Sequence, residues 1–190
     1  MTNHKSIKQN GFTIIEIVIV VFLFAILLMG LLSIFEWQQK VYSVEMAEIA
    51  VTNSARSTLG AMNSMLAQGV AIIPSRTIGG QLYTTGGSTI VASLPVITSS
   101  DEVLPDQYDY VVFHRDGQNL FQIIETHASS VRPAGSKLLS DNVHSFSLSY
   151  NSGDIASSNR ITATITNRAL YHGDKFAEFS LSQTILLRNY

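Results

Sequence analysis

The sequence contains no cysteine and few charged residues, and both shortages limit what the chain can do. Because none of its 190 residues is Cys, it can form no disulfide, no thiolate metal site and no cysteine nucleophile. Charged residues make up only 14% of the chain and the net charge is −2, so nothing suggests a nucleic acid as a partner. Ser, Thr, Asn and Gly must then cover much of the surface, which suits a domain outside the cytoplasm.

Sequence patterns that support catalysis or metal binding are also missing. The five histidines are scattered and none has the spacing to acidic residues that a metal site needs. The stretch "TTGGST" lacks the lysine of a phosphate loop and is typical of a turn. Calcium is conceivable near Pro105, but the acidic residues there fit no standard calcium loop: Asp101, Glu102, Asp106 and Asp109. We therefore expect no catalytic residue, no metal and no cofactor, and a chain that is not an enzyme.

A long apolar run lies near the N-terminus. The 19 residues Ile17–Phe35 include no charged residue and would form a helix of about 28 Å, close to the roughly 30 Å hydrocarbon core of a bilayer. Fifteen of them are Ile, Leu, Val or Phe. Each of these favours insertion by roughly 0.3 to 0.6 kcal/mol. Lys5 and Lys8 precede the run without an acidic residue, which predicts a cytoplasmic N-terminus and an external C-terminal body.

Glu16 lies at the front edge of this run and allows three interpretations. A carboxylate costs roughly 3 kcal/mol at the bilayer centre and less at its edge, so insertion remains favourable. The run could be a secretory signal peptide, although no small-x-small cleavage site follows it. It could be a plain anchor in which Glu16 has no role. Alternatively Glu16 is functional, since ionisable groups within membranes are usually paired.

The stretch "KQNGFTIIEIVIVVFLFAIL" resembles the class III signal of the type IV pilin superfamily. The shared pattern is a short basic leader, then Gly, Phe, Thr, two aliphatic residues, Glu and an apolar helix. The resemblance implies that a prepilin peptidase cuts after Gly11 and methylates the new amine of Phe12. It also implies that Glu16 forms a salt bridge with the Phe12 amine of a neighbouring subunit, which sets the register of assembly.

Downstream of the span the apolar residues become periodic. They recur at steps of three or four between residues 37 and 66, averaging about 3.6. The pattern predicts one amphipathic helix that continues from the span and ends at Gly69, before Pro74. Its apolar stripe consists of Trp37, Val41, Val44, Ala47, Val51, Ala55, Leu59, Met62 and Leu66.

After Gly69 the apolar pattern has a period of two, which predicts strands. "QLYTTGGSTIVASLPVI" suggests a hairpin around Gly86–Gly87, and "YDYVVFHRDGQNLFQIIET" a stronger one around Asp116–Gly117. "VHSFSLSYN", "RITATIT" and "FSLSQTILLRN" alternate in the same way, whereas "SRTIGG" and "TSSDEVLPDQ" are typical of loops. The predicted fold class is α+β, with a long N-terminal helix packed on an antiparallel β-sheet head.

These patterns predict four segments and leave two functions open. We expect a cytoplasmic prepilin leader over 1–11, the membrane half of the helix over 12–35, its amphipathic half over 36–69, and a β-rich head outside the cytoplasm over 70–190. The first function is a structural subunit in the inner membrane that joins other pilin or pseudopilin subunits in a filament for type II secretion or a type IV pilus. The alternative is a bitopic membrane-anchored binding domain that does not polymerise.

The C-terminal half resembles the heads of J-type minor pseudopilins and related minor pilins. The residues that carry this resemblance are "YDYVVFHRDGQNLFQIIET", "LLSDNVHSFSLSYN", "ITATIT" and the terminal "LLRN". Major pilins commonly close a disulfide loop near the C-terminus, and a chain without Cys cannot do so. The resemblance therefore implies a minor pilin or pseudopilin.

Replacing Gly11 by Val tests the cleavage site. We expect the mature protein to begin at Phe12 with a methylated amine, and Gly11→Val to leave the precursor in the membrane, because the peptidase site would accept only a small residue. Mass spectrometry of the N-terminal peptide measures both outcomes. A functional form that still carries Met1 would contradict the prediction.

Overall fold

A computed structural model describes residues 12–188, apart from the side chain of His172, and has the predicted α+β architecture. The described residues divide into two compact units between Ser43 and Val44, and one helix contributes to both. This helix, α1, runs over Ile14–Leu66 without interruption. The Gly69 N–H donates to the Leu66 carbonyl at 2.9 Å, so the helix ends where the sequence predicted.

Within residues 12–188, ten strands follow α1 and form three antiparallel sheets, where the sequence pattern predicted one. The five-stranded sheet has the order β1-β4-β5-β6-β7, the three-stranded sheet has the order β10-β9-β8, and β2 pairs with β3. A short 3₁₀ helix, Ile155–Ser157, lies between β8 and β9. The strands are β1 Ala71–Ile73, β2 Ser75–Ile78, β3 Gln81–Thr84, β4 Thr89–Ile97, β5 Val103–Asp116, β6 Asn119–Glu125, β7 Gly135–Ser140, β8 Val143–Tyr150, β9 Arg160–His172 and β10 Lys175–Leu186.

The C-terminal part of α1 packs on the sheets through the predicted apolar stripe. Six residues of the stripe are buried: Ala47, Val51, Ala55, Leu59, Met62 and Leu66. The last four pack against residues of both large sheets, including Phe113 on β5 and Ile165 on β9, whereas Ala47 and Val51 pack with Ala177 on β10. Each fully buried Val, Leu or Met side chain contributes about 1.5 to 3 kcal/mol relative to its exposed state.

The stripe is not buried along its whole predicted length. Trp37 is 65% exposed and Val41 is 36% exposed, and both belong to the N-terminal unit. Apolar periodicity shows that residues share one face of a helix, but it does not show that anything covers the face. The prediction of a packed face is therefore correct only from Ala47 onward.

The first predicted hairpin is wrong, because the turn lies at the other Gly-Gly pair. Gly79 and Gly80 have φ values of +59° and +83°, which L side chains rarely adopt, and they connect β2 to β3. The segment "SRTIGG" thus contains a strand and a turn where a loop was predicted. Gly86 lies outside the strands, and β3 and β4 do not pair with each other. The Gly86 N–H donates to the Thr89 carbonyl at 2.8 Å.

The second predicted hairpin is confirmed, but β5 begins earlier than expected. Asp116 pairs with Asn119 across a two-residue turn that starts at Gly117. In the other direction β5 extends to Val103, inside the segment predicted as the loop "TSSDEVLPDQ". On β4, Pro95 pairs with Tyr108 but the next residue, Val96, pairs with Leu104. The residues of β5 between these two partners therefore form a bulge.

The alternating strands near the C-terminus are confirmed. Phe146 and Leu148 on β8 are buried between exposed serines, and on β9 Ile161, Ala163 and Ile165 are buried. Tyr150 closes β8 by donating its hydroxyl to the Gly86 carbonyl at 2.9 Å. Burial raises the pKa of Tyr150 to about 12.

Adding a methyl group at Gly69 tests how tightly the helix end is packed. A Cβ there would lie 2.9 Å from the Leu66 carbonyl oxygen and 2.5 Å from Leu187 Cδ2, so the backbone must shift. We expect Gly69→Ala to lower the free energy of unfolding by about 1 to 3 kcal/mol. Gly60→Ala is the matched control, since its Cβ meets nothing within 4 Å and should stabilise the helix by up to about 1 kcal/mol.

Thermal unfolding of the full chain in detergent, followed by near-ultraviolet circular dichroism, measures both changes. Equal stability of Gly69→Ala and Gly60→Ala would contradict the packing described for the helix end.

Candidate functional site

The first turn of α1 places Glu16 in a reciprocal hydrogen-bond arrangement with Thr13. The Thr13 N–H and hydroxyl both donate to Glu16 Oε2, at 2.8 and 3.0 Å. The Glu16 N–H lies 3.4 Å from Thr13 Oγ1 and 3.1 Å from the Thr13 carbonyl oxygen. This is a capping box, in which Thr13 is the N-cap and Glu16 is the third residue of the helix.

The capping box lowers the cost of a carboxylate at the edge of the apolar run. Backbone N–H groups at a helix start have no partner within the helix, and leaving them unsatisfied is costly in an apolar environment. The Glu16 carboxylate satisfies one of them and lies where the helix dipole favours negative charge. The Thr-x-x-Glu spacing is a recognisable sequence signal for this cap, although the resemblance to pilins drew attention to Glu16 for a different reason.

The structure describes two of the three residues predicted to act in processing and assembly. Phe12 is exposed and precedes the helix, and Glu16 lies in its first turn. Gly11 lies outside the described residues. The cleavage at Gly11, the methylation of Phe12 and the salt bridge of Glu16 remain predictions.

The apolar run forms a helix whose surface suits lipid. α1 is long and apolar enough to cross a membrane, and none of its residues before Ala47 is buried. Ser33 donates its hydroxyl to the Met29 carbonyl at 3.0 Å, so this polar group is satisfied within the helix. Length and composition thus allow a membrane span, as the sequence predicted.

In the head, Asp109 does not belong to an acidic loop. It is fully buried and forms an ion pair with Arg132 at 2.8 Å, and it also accepts hydrogen bonds from the His127 N–H and the Ser130 hydroxyl. The other acidic residues considered for calcium are exposed. Within residues 12–188, no group of three His, Asp or Glu side chains is placed to hold a metal ion.

Arg132 connects the end of α1 to the five-stranded sheet. Its guanidinium donates to the Pro95 carbonyl, to Asp109 and, at 3.0 Å, to Gln68 Oε1. Removing one member of a buried ion pair typically costs about 3 to 5 kcal/mol, because the other charge stays buried. The sequence analysis missed this cluster, since its members are distant in sequence and no local pattern connects them.

Comparisons with known proteins bear on the N-terminal segment alone. A family model described as "Prokaryotic N-terminal methylation motif" matches residues 7–32, which include the Gly11–Phe12 junction, the capping box and most of the apolar run. Searches of the curated proteins and of the solved structures found no match. The motif supports the type IV pilin-like family, whose members are structural subunits, and it points to prepilin peptidase processing, membrane anchoring and assembly with other pilins.

Replacing the Thr13 hydroxyl tests the capping box. Thr13→Val keeps the shape of the side chain but removes its hydrogen bonds, so we expect the helix start to lose about 1 kcal/mol. The amides of Glu16 and Ile17 should then exchange with deuterium about fivefold faster in the full chain in detergent micelles. Thr13→Ser is the control, because it keeps the hydroxyl and should exchange as the wild type does. Equal rates in all three proteins would contradict the capping arrangement.

Proposed function

We propose that the chain is a minor pilin or pseudopilin, a structural subunit of a type II secretion or type IV pilus-like filament. The observation that carries this proposal is the position of Glu16, a carboxylate held in the first turn of an exposed apolar helix. A plain anchor needs no charge at this position, and the charge reduces its affinity for the bilayer. The match to the methylation motif over residues 7–32 supports the same function.

Cleavage after Gly11 would supply the partner that Glu16 needs. It creates a free α-amino group on Phe12, which is a cation at neutral pH. Both hydrogen bonds from Thr13 end on Glu16 Oε2, so Oε1 can accept from the amine of an adjacent subunit without breaking the capping box. Opposite charges attract strongly in a low-dielectric environment when their geometry is good. The pair would thus set the axial position of one subunit against the next.

The proposed topology places the subunit in the inner membrane with its N-terminus in the cytoplasm. Lys5 and Lys8 stay on the cytoplasmic side, residues 12–35 span the membrane, and the head lies in the periplasm or outside the cell. Residues 1–11 are the leader that the peptidase removes. The absence of Cys and the strand pattern of the C-terminal half support the J-type minor pseudopilin as the nearest subgroup.

The same cleavage separates this proposal from a bitopic binding domain that does not polymerise. Such a domain would keep its leader and would need no neighbour for Glu16. The intact mass of the protein purified from membranes measures which form exists in the cell.

Substitutions of Glu16 test its proposed role in assembly. Glu16→Ala should insert and be processed normally, because the span becomes more apolar and the Gly11–Phe12 junction is unchanged. Assembly should fail, since an unpaired amine at the membrane boundary costs several kcal/mol in a contact that buries it. Glu16→Gln should fail too, because it keeps the shape and loses the charge, whereas Glu16→Asp should keep partial function.

Membrane fractionation, processing and filament assembly or secretion are measured on the same cells. The proposed salt bridge is contradicted if Glu16→Ala and Glu16→Gln both assemble at the wild-type level. This holds for a subunit that has a neighbour ahead of it in the filament. Loss of processing in either variant would show that the peptidase itself needs the carboxylate.

A further inference from the structure

The sheets of the head have exposed edges, and most of these carry a feature that discourages pairing with another chain. β1 is only three residues long, and β7 contains Gly135 and an exposed Lys137. The outer edge of β8 is covered by loops, because Val143 and Leu148 donate their N–H groups to Gln118 and Gly87. Short strands, lysines and covering loops are the usual ways in which proteins protect sheet edges.

From Phe176 to Leu186 the outer edge of β10 has none of these protections, and its one lysine, Lys175, lies at the start of the strand. β10 lies at the edge of the three-stranded sheet and pairs with β9 over Lys175–Leu186. From Phe176 to Leu186 the register is regular, no residue is Pro, and Glu178 is the one charged residue. Within residues 12–188, no strand pairs with its other side. A free edge of this length presents a row of backbone donors and acceptors to another strand.

The solvent-facing side of this sheet continues in ordered rows up to β10. Three cross-strand hydroxyl pairs join β9 to β10: Thr162 and Thr184 at 3.1 Å, Thr164 and Ser182 at 2.9 Å, and Thr166 and Ser180 at 3.1 Å. On β8, Ser149, Ser147 and Ser145 pair in register with the same threonines. Each row stops at β10, where a further strand with a hydroxyl side chain would extend it.

The opposite side of β10 is incompletely covered. Phe179 and Leu181 pack on the core but are only half-buried, whereas their partners on β9, Asn167 and Ile165, are fully buried. A strand placed beside β10 would shield the exposed flanks of Phe179 and Leu181 with its own apolar side chains.

We propose that the outer edge of β10 binds an extended segment of a different subunit, which adds to the sheet as a fourth strand. This inference rests on the proposed function, because it needs neighbouring subunits. The segment would have Ser or Thr on its outer face and apolar residues on its inner face, matching the two faces of β10.

A second copy of this chain is a poorer occupant than a different subunit. Among residues 12–188 the other edge strands are short (β1, β2 and β3), lysine-bearing (β7) or covered (β8), so that part of a copy could offer only its own β10. Two β10 edges would pair across a two-fold axis normal to the sheet, which makes the two Val44–Leu66 segments antiparallel. Subunits of one polar filament are related by a rotation about the filament axis and a shift along it, so their Val44–Leu66 segments point the same way along that axis.

Single cysteines test the site, since the chain has no cysteine of its own. Ser182 and Ser147 are exposed on the same face and pair with the same Thr164, so Ser147→Cys is the matched control for Ser182→Cys. With strands about 4.8 Å apart, the bound segment would lie about 5 Å from residue 182 and about 15 Å from residue 147. A photo-crosslinker of short reach on the assembled full-length protein should give an adduct from residue 182 alone.

Proline substitutions in β10 give a second measurement. In an antiparallel edge strand the N–H groups point alternately to the neighbouring strand and to the free edge. Ser182→Ala loses the hydroxyl contact with Thr164 alone and is the control. The Leu187 N–H donates to the Asn159 carbonyl on the β9 side, so in the regular register the Gln183 N–H points to β9 and the Ser182 N–H points to the free edge. Of Ser182→Pro and Gln183→Pro, it is therefore Ser182→Pro that takes a backbone donor from the free edge, and it should unfold at the temperature of its control. That variant should enter assemblies about tenfold less than the wild type, while the other loses a bond to β9 and stability.

The results separate this inference from the proposed function. A crosslink from residue 182 to another subunit, with reduced entry of the stable proline variant, supports the added strand. Equal crosslinking from residues 182 and 147, a crosslink to a second copy, or normal entry of the stable proline variant overturns it, even when the wild type is processed and assembles. A wild-type protein that keeps its leader and joins no other subunit overturns both.

Discussion

One helix must satisfy its backbone in two environments, and the rest of the structure depends on this constraint. From Ile17 to Phe35 the side chains of α1 are apolar in all directions and suit lipid, whereas from Ala47 onward one stripe is buried in a protein core. An α-helix meets both demands because its hydrogen bonds are internal in either environment. The polar groups within its apolar part are accordingly satisfied locally, as Ser33 shows by donating to the Met29 carbonyl.

The hydrogen bonds of Glu16 are satisfied locally in the same way, but its charge is not balanced. Its carboxylate caps the helix start through Thr13, so the isolated subunit already satisfies part of its hydrogen-bonding capacity. The negative charge, however, has no cationic partner within residues 12–188. The proposed amine of a neighbouring Phe12 would complete the site, which makes the charge costly alone and favourable in an assembly.

The elements predicted correctly from the sequence depend on local patterns. The apolar period defined α1, and the two-residue alternation identified β8 and β9 with their buried faces. The hairpin was predicted at Gly86–Gly87 instead of Gly79–Gly80, because both pairs are Gly-Gly and the local pattern does not distinguish them. Asp109 was grouped with nearby acidic residues, but its partner Arg132 lies on a distant loop. The free edge of β10 follows from strand order, which is a non-local property.

The most direct test of the account is the distance between Glu16 and the amine of a neighbouring subunit in an assembled filament. The glutamate carboxyls of this chain are labelled with ¹³C, and the N-terminal amines of the other subunits are labelled with ¹⁵N. Because the two labels are on different subunits, a ¹³C–¹⁵N dipolar coupling in solid-state NMR reports only contacts between subunits. The account predicts a carbon–nitrogen distance of about 4 Å or less for Glu16, as expected for a salt bridge. A Glu16 carboxyl that contacts Thr13 but shows no coupling to any neighbouring amine would contradict it.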